Sequence, residues 1–410
     1  MKIRLLEFLR CPCCKNELRL SRIEAHKVIL SPEASARAVA ERIDRSLLEE
    51  VVESGVLECA SGCSWYPIVN YVPVLLDFPL PLHRQFSYRY RHLGLKAFDL
   101  PFPPGAPRPG ELQLQESFTV EWKGLGEDAH TFIYTIEERE RYLRAELDWP
   151  SSLLQRTPGA LALRVLNVGA GFGLEPIYIH NATGGMARGA EVVGIDLNLS
   201  LLRSGAKIAA MSFIHTAVAS LFALPFPERS FDLVYAHGVL HHTHSTEAAF
   251  RNIERFRKPD GAIYIWIYAL EDFFQKSWKG RVQYTLETCL RPTFARLPRW
   301  LQDIFLYPLA WRNLRVTRRL YDRGPTYTMK NALHNARDCW TPLYAHRHRF
   351  NEVLRWFSEL GLEARPVDPV TVQATLPVPL AGIGIRGISK SNALRGFHAP
   401  SADGPTNLTT

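Results

Sequence analysis

The sequence predicts an α/β fold, a doubly wound Rossmann-like sheet with a small cysteine-rich module ahead of it. Three observations carry this. Val165-Leu-Asn-Val-Gly-Ala-Gly-Phe-Gly173 is an apolar strand that breaks into glycines spaced Gly-x-Gly-x-Gly. Val192-Val-Gly-Ile-Asp196 is a second apolar strand, and it ends on an acid. Five of the seven cysteines fall before residue 64, in the knuckles Cys11-Pro-Cys-Cys14 and Cys59-Ala-Ser-Gly-Cys63.

The strand-and-turn pair comes first because it implies a ligand. A glycine turn lets the backbone approach a bound molecule, since no Cβ stands in the way. An acid at the tip of the next strand suits a ribose diol. Together they predict a nucleoside-containing cofactor. Dinucleotide enzymes use Gly-x-Gly-x-x-Gly, which seats a pyrophosphate on a helix N-terminus. Here the third glycine comes one residue early, and Glu175 stands in the first turn of the following helix. A carboxylate there would repel a pyrophosphate but tolerate a sulfonium and an amine. These residues favour S-adenosylmethionine over NAD.

The next motifs follow in order: Leu224-Pro-Phe-Pro-Glu-Arg-Ser-Phe-Asp-Leu-Val-Tyr235, Gly238-Val-Leu-His-His-Thr243, Ala249 to Phe256, Lys258-Pro-Asp-Gly261 and the apolar run Ala262 to Tyr268. With them, residues 160–270 resemble the class I S-adenosylmethionine-dependent methyltransferases, especially the group related to the quinone-biosynthesis methyltransferases. Residues 350–390 continue the likeness more weakly. The resemblance implies a seven-stranded methyltransferase sheet. It also implies that Gly169, Gly171 and Gly173 line the methionine and ribose portion, that Asp196 holds the ribose hydroxyls and that Leu197 packs on the adenine. Asn167 stands where the family usually has Asp or Glu. Ser220 stands where it often has an acid against the adenine amine. Leu221 completes the expected cofactor-binding set.

Methyl transfer from a sulfonium is an in-line displacement, helped chiefly by holding the acceptor in line. A base helps when the acceptor is a hydroxyl or a protonated amine. His237, His241 and His242 are the candidate catalytic residues, because histidine titrates near neutral pH. His237 and Gly238 fall just past the fourth strand, nearest the expected methyl position. For His241 and His242, which open a helix, capping or packing is the plain alternative.

The two cysteine knuckles predict a closed structural zinc site on Cys11, Cys14, Cys59 and Cys63. Cys13 could replace Cys14 in principle, but Cys-x-x-Cys has the better-known geometry. Such a site staples a small domain and leaves no position for an activated water. With Leu9 to Pro12 and Trp65 to Leu76, the knuckles resemble a small zinc-ribbon family whose members occur fused to methyltransferases or as their activating partners. Between the knuckles, Ser31 to Gly55 reads as one amphipathic helix.

The expected organisation is therefore a zinc ribbon with a helical insertion over 1–78, a proline- and glycine-rich linker over 79–116, the methyltransferase domain over 117–392 and a disordered tail over 393–410. A helix over Thr135 to Leu147 precedes the first strand. Residues 271–345 read as a helical lid, beyond the carboxyl ends of the strands where substrate would bind. His346 and His348 precede a last helix, Asn351 to Leu360, with one or both facing the pocket or lying on the surface. Gly382-Ile-Gly-Ile-Arg-Gly387 has the form of a dinucleotide loop, but its residues alternate like a terminal strand.

Composition narrows the class. The 410 residues are 46% hydrophobic and 22% charged, ordinary for a globular chain. The longest apolar run falls short of the ~20 residues of a membrane helix. The N-terminus does not read as a signal peptide, so a cytoplasmic protein is expected. Residues 271–350 hold 15 Lys/Arg against 6 Asp/Glu, so the basic excess of the chain is concentrated in the lid. That excess suits an acidic or phosphorylated substrate, an anionic membrane surface, nucleic acid or a merely solvated face. The expected activity is methylation of a small-molecule acceptor: a secondary metabolite, glycan or lipid precursor. An RNA methyltransferase is the alternative, suited by the pI of about 9.1, and a non-catalytic cofactor-binding scaffold the third reading.

Overall fold

The computed structural model describes residues 1–123, 136–147, 163–270, 278–320, 327–367 and 382–389. The expected tail over 393–410 lies outside the described residues. The N-terminal module runs α1 (Ile3–Leu6), β1 (Leu18–Lys27), α2 (Pro32–Ala40), α3 (Arg45–Glu49), β2 (Glu50–Cys59), β3 (Trp65–Val69) and β4 (Val72–Leu75). Ser31 starts α2 as expected, its Oγ accepting from the Ala34 N–H at 3.2 Å. The single helix over 31–55 is corrected. The helix stops at Ala40, Asp44 caps α3, and the chain is a strand from Glu50. The β-branched Val51, Val52 and Val56 favour that strand. Gly55 is no helix stop: it lies between Arg22 of β1 and Ile68 of β3.

The linker over 79–116 is corrected in part. It holds α4 (Pro81–Tyr90) and the start of α5 (Glu111–Lys123). Its aromatic residues hold it down: Phe86, Phe98 and Phe102 surround the buried Trp65 with ring centroids 5.1–6.3 Å apart. Residues 101–110 drape without helix, tied by Arg108, which donates to both carboxylate oxygens of Asp77 at 2.7 and 2.6 Å.

The remaining elements are α6 (Ile136–Leu147), β5 (Arg164–Val168), α7 (Glu175–Ala182), α8 (Gly185–Arg188), β6 (Glu191–Asp196), α9 (Gly205–Ala209), β7 (Ile214–Ala219), β8 (Phe231–His237), α10 (Thr246–Glu254) and β9 (Arg257–Tyr268). The lid follows as α11 (Trp278–Phe294), α12 (Arg299–Leu320) and α13 (Met329–Trp340). The chain closes with α14 (Phe350–Glu359), β10 (Leu362–Pro366) and β11 (Gly382–Ser389).

Strand order is β1-β2-β3-β4-β7-β6-β5-β8-β9-β11-β10. The stretch from β7 to β10 is the expected seven-stranded sheet. Five of its strands are parallel, and β11 and β10 return antiparallel. Gly382 to Gly387 lies in β11, a terminal strand. The ribbon is not a separate bead. Its β4 pairs parallel with β7 at Val74–Val218 and Leu75–Ala219, making one continuous sheet of eleven strands. Buried Lys2 stitches the same seam, its Nζ donating to the carbonyls of Ile208 at 2.8 Å and Ile214 at 3.4 Å. The chain winds outward through β6 and β7 on one side of β5, and through β8 and β9 on the other. A crevice opens at that switch point, beyond the carboxyl ends of β5 and β8.

Candidate functional site

A cleft lies in this crevice. Gly169, Asp196, Leu197, Leu221 and His242 from the expected set line it, with Glu111, Leu114 and Phe118 of α5 opposite. Gly169 and Gly171 have φ of +87° and +58°, which a side chain tolerates poorly. Space forbids one too: a Cβ on Gly169 would meet Val239 Cγ2 at 2.0 Å, and one on Gly171 would meet the Trp122 ring at 3.0 Å. Gly173 sits at the same turn with φ of +98°.

Asp196 holds the turn. Its Oδ2 accepts from the Gly171 N–H at 2.7 Å and its Oδ1 from the Asn198 N–H at 3.0 Å. Burial pushes the Asp196 carboxyl up from its ordinary range, against the pull of those N–H groups. Asn167 is buried near the end of β5, and its amide has no hydrogen-bond partner among the described residues. A buried amide left so is costly unless a ligand completes it. A buried acid at the tip of β6, an orphaned amide beside a glycine turn and a mostly apolar cleft fit an adenosyl cofactor.

Ser220 is buried beside the cleft, and its hydroxyl donates to Oε1 of Glu111. The other oxygen of Glu111 accepts the Arg108 N–H at 2.7 Å. Glu111 thus puts a carboxylate beside the position where the sequence has only a hydroxyl. Sequence reasoning missed it, because it lies 109 residues from Ser220 in a stretch read as linker.

Glu175 is also placed differently from expectation. Its carboxylate is engaged by the Arg139 guanidinium of α6, so its charge does not bear on the cofactor as the sequence argument held.

The three histidines are not equivalent. His237, at the end of β8, stacks on Trp266 with centroids 4.8 Å apart, and its Nδ1 lies 2.8 Å from Oε1 of Glu146. Glu146 of α6 is fully buried. It accepts from the Tyr235 hydroxyl at 2.6 Å and the Tyr264 hydroxyl at 2.5 Å. Burial alone would raise its carboxyl, but His237, Arg139 and the tyrosine hydroxyl outweigh it and hold the group down at about 2. It is therefore an anion at neutral pH, facing an imidazole. His242 lines the cleft, and its Nδ1 donates to the Tyr344 carbonyl at 2.9 Å. His241 is buried on Tyr268 with rings 3.8 Å apart and no partner for either ring nitrogen among the described residues. Burial pushes both His241 and His242 down, His241 well below the usual range, so both are neutral.

His348 does not reach the cleft. Its Nδ1 meets Glu352 Oε1 at 2.9 Å and its Nε2 meets Thr246 Oγ1 at 2.8 Å, locking α14 to α10. The His346 N–H donates to the His241 carbonyl at 2.9 Å, so it braces the His241 turn.

A second polar cluster sits where α13 of the lid meets α5. The Tyr268 hydroxyl donates to Asp338 Oδ2 at 2.8 Å, and His242 Nε2 lies 3.7 Å from Asp338 Oδ1. Glu121 lies 3.4 Å from the His334 ring. Burial, with Asp338 and Asp196 nearby, pushes the Glu121 carboxyl well up, while burial holds His334 down at about 4. No sequence motif marks these residues, which come together only through the lid.

At the far end of the sheet, the sulfurs of Cys11, Cys14, Cys59 and Cys63 all lie within 4.8 Å of one another. The separations are 3.5 Å for Cys11–Cys63, 3.3 Å for Cys14–Cys59 and 3.4 Å for Cys14–Cys63. Zinc–sulfur bonds of about 2.3 Å in a tetrahedron put the sulfurs roughly 3.8 Å apart, so this set fits zinc. Cys13 lies outside this group of four, and its sulfur shares the Tyr66 hydroxyl with Cys11, at 3.3 and 3.1 Å.

Comparison with known proteins agrees with this geometry. Residues 166–265 match the methyltransferase domain family, and residues 2–70 match the Trm112p-like protein family. A curated relative, the malonyl-[acyl-carrier protein] O-methyltransferase of Legionella pneumophila, is 24% identical over 163 residues. That match takes in 38% of this chain and 56% of the relative, so the chain spans little more than half of that relative's length. Among solved structures, the magnesium protoporphyrin IX methyltransferase of Synechocystis PCC 6803, with bound SAH, has a TM-score of 0.38 at 11% identity, covering 68% of this chain and all (100%) of that one. A complex of the Haloferax volcanii Trm112 methyltransferase activator with a methyltransferase scores 0.36 at 12% identity, covering 67% of this chain and 97% of that one.

Proposed function

We propose that this chain, a class I S-adenosylmethionine-dependent methyltransferase with an N-terminal zinc ribbon, methylates a hydroxyl or other protonated nucleophile of a small molecule. The observation that carries the reading is the His237–Glu146 pair at the end of β8, with its 2.8 Å contact. The O-methyltransferase relative supports the acceptor class.

S-adenosylmethionine, when bound, supplies an electrophilic methyl group on a sulfonium. Asp196 would accept from its ribose hydroxyls. Glu111, with Ser220, would accept from the adenine amine, and Leu197 and Leu221 would pack on the adenine. The backbone of Gly169 to Gly173 and the Asn167 amide would hold the methionine end. On the acceptor side, the Glu146 carboxylate, 2.8 Å from Nδ1, favours the His237 tautomer that carries its proton there. Nε2 would then take the proton of the acceptor O–H as the oxygen takes the methyl group and the sulfonium S–C bond breaks to leave a neutral thioether, and the Glu146 carboxylate would stabilise the resulting imidazolium. The neutral His242 and the Tyr268–Asp338 pair form the wall toward the lid and orient the acceptor. Zinc, on Cys11, Cys14, Cys59 and Cys63, has a structural role.

The test uses methyl-labelled S-adenosylmethionine with the purified full chain and extract of the source organism, separated into small molecules, lipid, RNA and protein. Label is expected in the small-molecule or lipid fraction and absent with Asp196→Ala. His237→Gln should keep cofactor affinity and lower turnover by about 10²- to 10⁴-fold, as for a lost general base. Label in RNA alone would replace the acceptor class. Unchanged turnover in His237→Gln would remove the base role.

A further inference from the structure

The lid helices α11 and α12 are turned inside out. α11 buries Glu287 and Arg291 yet exposes Trp278, Val282, Leu286 and Leu290 by 49–66%. α12 buries Gln302 and Thr317 beside Leu306 and Ala310, and exposes Trp300, Ile304, Phe305, Tyr307 and Trp311 by 48–66%. Eleven of the 16 exposed large hydrophobic residues among those described fall within these two helices. Exposed apolar groups scattered singly need no explanation, but a concentration of this kind marks an interaction surface.

The charge on the same surface selects the partner. Residues 278–320 hold nine Lys/Arg and two acids, Glu287 and Asp303. Both acids are taken up inside the lid, Glu287 by Arg291 at 2.6 Å and by Arg347 at 3.6 Å, and Asp303 by Arg337. Neither acid of the two helices is therefore left to offset the outward arginines, of which Arg299 alone among the described residues meets an acid from elsewhere, Glu116 of α5 at 3.4 Å. Arg315 lies over the Trp311 ring at 3.6 Å, and Lys279 lies over Trp278 at 5.8 Å, so cation and aromatic share the face. A second copy would bring the same cations against themselves. Nucleic acid would take up the cations and aromatics but leave the aliphatic side chains in water. An anionic bilayer takes all three, with aromatics and aliphatics below the headgroups and arginines among the phosphates. No described helix is long and apolar enough to cross a membrane, so these two would lie along the interface.

We propose that α11 and α12 dock this protein on an anionic lipid surface. The surface argument does not depend on the methyl-transfer reading.

Flotation of the full chain with vesicles of phosphatidylglycerol and phosphatidylcholine, and of phosphatidylcholine alone, tests this without cofactor or acceptor. Binding is expected to the anionic vesicles and to weaken with salt. Arg315→Gln and Arg318→Gln should each lower the partition constant by about fivefold. Trp300→Ser with Trp311→Ser should lower it further. Each variant should keep the thermal midpoint and S-adenosylmethionine affinity of the parent, which shows that it is folded. Failure of the folded parent to float with anionic vesicles overturns the proposal, as does equal binding to neutral ones. A dimer in sedimentation that is lost in the tryptophan variant, without vesicle binding, assigns the face to a second copy instead. A chain that floats but transfers no label leaves docking intact and fails only the catalytic reading.

Discussion

At Ser220 the chain carries a hydroxyl where related methyltransferases often carry an acid, and Glu111 brings a carboxylate to that hydroxyl from the first turn of α5. The two residues together can do what one acid does elsewhere: present an anionic acceptor at the edge of the cleft, where we propose that the adenine sits. Glu111→Ala is therefore expected to weaken S-adenosylmethionine binding by about tenfold, the size of one hydrogen bond to a charged group. Isothermal titration checks this, and an unchanged affinity would mean that Glu111 serves only to cap α5. The same logic of remote completion applies to His237. As a residue it is legible, since a histidine past the fourth strand stands out in the chain. Its partner Glu146 is one acid among several in an acidic, basic and aromatic helix, and only burial against Tyr235 and Tyr264 distinguishes it.

Among the elements, the ribbon hairpin shows most clearly how the two modules are joined. Asn70 and Tyr71 connect β3 to β4 with φ of +47° and +67°, as a two-residue hairpin turn requires. That turn seats on α9: the Asn70 amide donates to the Leu202 carbonyl at 2.5 Å, and a Cβ on Gly205 would meet the Asn70 carbonyl oxygen at 1.7 Å. Gly205 has ordinary right-handed helical angles, so in isolation alanine there would favour the helix. Within the fold, Gly205→Ala should instead wedge the hairpin off α9 and destabilise the protein by about 1–3 kcal/mol. Thermal denaturation decides between the two, and a raised midpoint would show that the seam is looser than described.

At the scale of the whole molecule, the zinc site lies among the ribbon strands of a sheet whose interior strand β8 carries His237 of the candidate catalytic pair. Because β4 pairs with β7, loss of the ribbon exposes a strand edge of the methyltransferase sheet and removes the Lys2 contacts to Ile208 and Ile214 across the same seam. Chelating zinc, or replacing Cys59 and Cys63 by serine, is expected to lower the unfolding midpoint of the whole chain by about 5 °C or more, in one transition. Scanning calorimetry would show it. Two separated transitions, with the methyltransferase part unmoved, would mean that the modules are energetically independent despite sharing a sheet.

What the sequence determined by itself was local and covalently close. The glycine turn after β5, the acid after β6, the histidine after β8 and the two cysteine knuckles each put their chemistry within a few residues of a recognisable strand or turn. The backbone requirement and the side-chain requirement then coincide in one short segment. The seven-strand sheet came instead from the family resemblance that those motifs carry. Sequence reading failed where local pattern was outvoted by burial. The stretch from Ser31 to Gly55 kept its helix start but lost its second half to a strand, because pairing with both β1 and β3 outweighs helical spacing. The proline-rich stretch kept its turns but gained helices around Trp65. Tertiary structure alone decided that Glu111 completes Ser220, that Glu146 faces His237, that Glu175 is spent on Arg139 and that the ribbon extends the main sheet. Each of these joins groups 36 to 144 residues apart. Carboxylates, cations and strand edges must be paired once buried, and which partner satisfies them depends on how the elements pack.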